Sequence, residues 1–133
     1  MLEHAKVATR LPAQDLERAR RFYAEKLGLE PAEERPGGLR YRPASGEFVL
    51  FASTGAPSGD HTQMAFEVDD IEAAVAELRR RGVTFEEYEA AGFSTVGGIA
   101  EIEGNYPSKG TRERGAWFRD SEGNLLGIGQ PIR

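Results

Sequence analysis

Leu11-Pro-Ala-Gln-Asp15-Leu-Glu-Arg-Ala-Arg-Arg-Phe22-Tyr23-Ala-Glu-Lys-Leu27-Gly28-Leu29 reads as the end of a strand, a helix and a stop. Pro12 ends or edges the strand Lys6 to Leu11, and Asp15 can cap the first helical turn. Leu16, Ala19, Phe22, Tyr23 and Leu27 recur at three-and-four spacing, with charged residues on the other face, and Gly28 can take the left-handed conformation that stops a helix. The plan returns at Phe66-Glu-Val-Asp-Asp70-Ile-Glu-Ala-Ala-Val-Ala-Glu-Leu78-Arg-Arg-Arg-Gly82-Val83. There Asp69 with Glu72 resembles a capping box, and Ile71, Ala74, Val75 and Leu78 form the inner stripe.

Working outward, Leu29 to Glu34, Leu39 to Arg42 and Glu47 to Phe51 read as strands, separated by Gly- and Pro-rich turns. Residues 53–61 form a linker between two repeats at about 5–53 and 62–131, within one domain of 133 residues. In the second repeat Gln63 to Val68 opens as a strand, Val83 to Glu89 is a strand that frays into a loop at Ala90 to Gly98, and Ile99 to Glu103 is a short strand. Asn105 to Gly110 is a loop, and Gly115 to Arg119 pairs with Leu125 to Gly129 across Asp120-Ser-Glu-Gly-Asn124. The order is βαβββ twice. An antiparallel four-stranded sheet with its helix on one face leaves the other face open, and two such modules side by side make a cleft for a small ligand.

Composition narrows the chemistry. With no cysteine there is no disulfide, thiolate nucleophile or thiolate metal site, and a net charge of −5 argues against a nucleic-acid partner. Arg79-Arg80-Arg81 sits where a helix ends and reads as a solvated terminus. No apolar run is long enough to span a bilayer, and the charged start Met1 to Lys6 does not read as a signal peptide, so a cytoplasmic location is expected. No nucleophile elbow, His-Glu-x-x-His, phosphate loop or dinucleotide fingerprint is present.

Asp15-Leu-Glu-Arg-Ala with Phe22-Tyr23 and Leu27-Gly28-Leu29, then Met64 to Ile71, then Trp117-Phe-Arg-Asp120-Ser-Glu-Gly123-Asn124-Leu-Leu resemble the vicinal oxygen chelate superfamily, also called the glyoxalase/bleomycin-resistance/dioxygenase family. The resemblance implies an α+β fold of paired βαβββ modules, with a cleft between curved mixed sheets, and a homodimer. It also implies a divalent metal held by His and Glu at positions that fall here on Ala8, Phe51, Gln63 and Gly127. None of these supplies the imidazole or carboxylate such a site needs, with a partial exception for the Gln63 amide.

A displaced site from His61, Glu67 and Glu101 is the alternative, against exposed loop and strand residues as the plainer account. Glu67, Glu86, Glu87, Glu101 and Glu103 include candidates for a general base, none singled out. Phe22, Tyr23 and Phe66 read as packing, whereas Tyr41, Phe51, Phe93, Tyr106 and Trp117 are candidates for the rim of the cleft. Phe118 neighbours Trp117 and points the other way, so the sequence leaves open which of them faces inward.

The expectation is a metal-free, cofactor-free protein that binds a small organic molecule for sequestration or resistance, with Phe51, Gln63, Tyr106 and Trp117 as ligand-binding residues. The alternative is a glyoxalase-like lyase or isomerase, or a dioxygenase-related enzyme, with a displaced metal site or a metal-independent mechanism. A pure interaction module ranks last, since it leaves the open sheet face unused. No membrane or nucleic-acid partner is expected.

Overall fold

The computed structural model describes residues 1–90 and 93–133. A short 3-10 turn at Leu2–His4 precedes β1 (Thr9–Ala13), α1 (Leu16–Leu27), β2 (Glu33–Arg35), β3 (Gly38–Tyr41) and β4 (Phe48–Ala52). There follow β5 (Met64–Glu67), α2 (Ile71–Arg80), β6 (Glu89–Ala90), β7 (Phe93–Val96), β8 (Ile99–Glu103), β9 (Arg112–Arg119) and β10 (Leu125–Ile132). They form two compact units, Met1–Ser58 with Asp120–Asn124, and Gly59–Arg119 with Leu125–Arg133.

The architecture is α+β. One sheet runs β1-β4-β3-β2 and the other β5-β10-β9-β8-β7-β6. β1 pairs parallel with β4, and β5 parallel with β10, while the other neighbours are antiparallel. Each sheet is therefore mixed rather than antiparallel throughout. A helical crossover sets the last strand of each unit running with the first.

In the first unit Asp15 accepts from the Arg18 N–H at 3.0 Å, and Gly28, at φ 69°, closes α1. The Leu29 N–H then reaches the Tyr23 carbonyl at 2.9 Å, which satisfies the helix's free acceptors. Leu11, Ala13, Leu39, Tyr41, Phe48 and Leu50 alternate inward from their strands to meet Ala19 and Tyr23. Tyr41 stacks on Phe48 with ring centroids 4.8 Å apart.

In the second unit the cap of α2 is Asp70, not Asp69. Its carboxylate accepts from the Ala73 N–H at 3.1 Å, while the Gln130 side chain accepts from the Ile71 N–H at 2.9 Å. Adjacent aspartates offer the same chemistry, and the register of the helix selects the second. Ile71 and Val75 pack with Phe85, Ala116, Phe118, Leu126 and Ile128 as the core.

Two expectations for this unit are corrected. Val83 to Glu89 is not a strand along its length: Phe85 bridges Phe118, and pairing resumes only at Glu89. The loop from Ala90 to Gly98 contains β7, which extends the sheet beyond β8, while residues 91 and 92 lie outside the described residues.

Candidate ligand-binding face

The face of the second sheet turned away from α2 follows from the register. Gly127 pairs with both Trp117 and Ala65, Gly129 with Gly115 and Glu67, and Ala100 with Gly115, so these residues share one side of the sheet. Phe118 takes the other side and is 0 % exposed, which settles the choice between the two aromatic neighbours: Trp117 lies on the open face.

Its indole covers the glycines. A side chain on Gly115 would come within 3.0 Å of the indole ring, and one on Gly127 within 3.4 Å of the indole Nε1. At Gly127, where the resemblance expects a metal ligand, the space beside the backbone holds Trp117, Ala65 and Thr62. Tyr88 and Phe93 pack against the same indole, with centroids 5.7 and 5.2 Å away. Burial first, then the Glu86 carboxylate, raises the Tyr88 phenol above its ordinary pKa, so it remains a neutral hydroxyl.

Gln63 stands two residues before Ala65, and its N–H donates to the Leu125 carbonyl at 2.9 Å. Its Oε1 is buried and accepts no hydrogen bond among the described residues. A buried acceptor left unpaired costs about 1–3 kcal/mol, so this atom is poised to accept from a donor brought in by a ligand.

The other expected site residues lie on different elements. Tyr106 is 77 % exposed in the loop after β8. Tyr41 does not rim an open face. It faces α1 in the first unit's core, where burial pushes its phenol up to about 12. His61, Glu67 and Glu101 are not assembled into a metal site. The register puts Glu67 on the open face, where Lys109 holds it at 2.9 Å, and Glu101 on the opposite face beside Arg114 at 3.0 Å. Among the described residues no three His, Asp or Glu side chains are grouped to hold a metal ion.

In the first unit, Ala8 is exposed just before β1, and Phe51 is half-buried on the face away from α1, with the Arg10 guanidinium over its ring at 5.0 Å. That unit also holds a buried polar set. Tyr23 donates to Asp120 at 2.7 Å, and the Asn124 amide donates to Asp120 at 2.9 Å and to the Pro12 carbonyl at 3.1 Å. Burial, followed by the Asp120 charge, raises the Tyr23 phenol well above its ordinary range. Glu122, its side chain 1 % exposed, accepts from Arg18 at 2.8 Å and from the Asp15 N–H at 2.9 Å. Burial alone would raise its pKa, but these bonds outweigh it and hold the carboxyl at about 2. This set positions the helix and the turn. It was invisible as a site in the sequence, because Tyr23 and Asp120 lie far apart in the chain.

The family model for the Glyoxalase/Bleomycin resistance protein/Dioxygenase superfamily matches residues 2–128. The chain belongs to this superfamily. Solved members resemble it in fold. A glyoxalase/bleomycin resistance protein/dioxygenase from Alicyclobacillus acidocaldarius is 16% identical with a TM-score of 0.68, covering 98% of this chain and 93% of that one. A second, from Nocardioides, is 22% identical with a TM-score of 0.65, covering 96% and 83%. TnmS3, an antibiotic binding protein from Streptomyces, is 24% identical with a TM-score of 0.62, covering 99% of each chain. No curated protein matches the chain significantly in sequence. No helix among the described residues is long and apolar enough to cross a membrane.

Proposed function

We propose that this superfamily member binds a flat, largely apolar organic molecule on the open face of its second sheet, without a metal ion or other cofactor, as a sequestration or resistance protein. The observation that carries the reading is the buried, unpaired Gln63 Oε1 on the glycine-floored face where Trp117, Tyr88 and Phe93 supply ring surface. Aromatic surface holds a planar ligand by offset or edge contacts, and one fixed acceptor orients it. That a structural neighbour is an antibiotic binding protein agrees with this reading. We further propose a cytoplasmic homodimer with no nucleic-acid or membrane partner, in keeping with the acidic charge of −5.

The first test is elemental analysis of purified, untagged protein after exposure to Ni²⁺, Zn²⁺, Fe²⁺ and Mn²⁺ and desalting. Substoichiometric metal is expected, and about one ion per chain would overturn the metal-free reading. The fluorescence of Trp117, the only tryptophan, is then titrated with bleomycin and 8-anilinonaphthalene-1-sulfonate. Saturable quenching that Gln63→Leu weakens supports the binding face. Glyoxalase or dioxygenase turnover would put an enzyme in its place.

A further inference from the structure

On the open face of the first sheet the register makes two rows. One runs Glu33, Arg40, Val49, Arg10, and the other Arg35, Gly38, Phe51, Pro12. Arg10, Glu33, Arg35, Gly38, Arg40 and Val49 of these rows line a pocket of about 340 Å³. The carboxylates lining it are already engaged: Glu33 by Arg40, which also holds Glu47, and Glu34 by Arg20. Arg10 and Arg35, which also line it, have no carboxylate partner among the described residues.

Both reach toward the same part of the floor. Gly38 has no side chain, and Arg35 lies across it, its Cγ and Nε each 3.2 Å from where a Cβ would stand. Phe51 is the next residue in that row, and the Arg10 guanidinium sits over its ring at 5.0 Å from the centroid. Two like charges brought over one apolar floor repel each other unless an anion lies between them. Stacking on the ring leaves the edge donors of Arg10 free as a fork that matches two oxygens.

We propose that this pocket is an oxyanion site, in which Arg10, stacked on Phe51, and Arg35 together hold the carboxylate or phosphate group of a small molecule while Val49 in its lining supports the apolar part. Every residue of this site belongs to the first unit, and the site does not rest on the reading of the second sheet. Recognition of this kind is electrostatic, so it weakens as salt rises.

The test is isothermal titration of the full-length protein with sodium benzoate and, separately, with inorganic phosphate at low ionic strength. Saturable binding of either is expected, and which one binds identifies the source of the oxyanion. Arg10→Gln and Arg35→Gln should each weaken it at least tenfold. Gly38→Ala, whose new methyl displaces Arg35, should do the same while both arginines remain. Circular dichroism melts check that the variants fold, and the Trp117 response to bleomycin should not change in any of them. Absence of binding by both probes, or binding unaltered in folded Arg10→Gln and Arg35→Gln, overturns the proposal. Normal binding in Gly38→Ala overturns the convergence on which it rests.

Discussion

The two sheets share one device, a first strand laid parallel beside the last, yet they are finished by different chemistry. In the first unit charge dominates: Arg40 clasps two glutamates on the open face, and Tyr23, Asp120, Asn124, Glu122 and Arg18 form a bonded set beside the helix. In the second, Tyr88, Phe93 and Trp117 pack on a floor of glycines, and α2 is capped by Asp70 and Gln130. A βα unit leaves its outer sheet face free of the demands of its core. That face can diverge while the inward alternation of apolar residues stays fixed.

The largest effect that tests this contrast comes from Asp120→Ala. It leaves the Tyr23 hydroxyl and the Asn124 amide without their shared acceptor, and the expected loss is about 3 kcal/mol in urea melts. A loss under about 1 kcal/mol would mean that the first unit is not held by its polar set. Trp117→Ala probes the second unit, and should weaken ligand binding by about 2 kcal/mol, roughly thirtyfold, when read by calorimetry.

Acid sharpens the contrast further. The Glu122 carboxyl titrates at about 2 in the folded chain, below its ordinary value of 4.5, so its contribution is present above 4.5 and fades as the pH falls toward 2. The expected loss is roughly 2 kcal/mol, less than full linkage because Arg18 is half exposed, and Glu122→Gln should remove this part of the pH dependence. The smallest effect is that of Gly115→Ala. Its methyl would meet the indole at 3.0 Å, tilting Trp117, shifting its emission and weakening binding by about 1 kcal/mol.

The helices were legible because caps and apolar spacing are local signals: Asp15, Gly28 and the inner stripes fell where expected. Gln63 and Gly127 were placed only through the resemblance, and the choice between Trp117 and Phe118 was left open, because alternation separates the two faces without saying which one the core takes; the pairing of Gly127 with Trp117 and the burial of Phe118 supply that. Tyr41 was misplaced although its own strand held the signal, since Leu39 and Tyr41 alternate together into the core and Gly38 and Arg40 outward. Tyr88 had no such signal. It sits in the irregular stretch after Phe85, and its place beside Trp117 depends on the Glu86 N–H donating to the Trp117 carbonyl at 2.8 Å. The bond between Tyr23 and Asp120 joins residues that no local pattern relates.

The parallel pairing of first and last strands sets an order of events during synthesis. β1 waits for β4, and β5 waits for β10, so neither sheet can close from its own beginning, and long-range pairing of this kind slows folding. Tyr23, made early, lacks its buried acceptor until Asp120 emerges. The nascent first unit is therefore a helix and a sheet that lack their buried acceptor for most of translation.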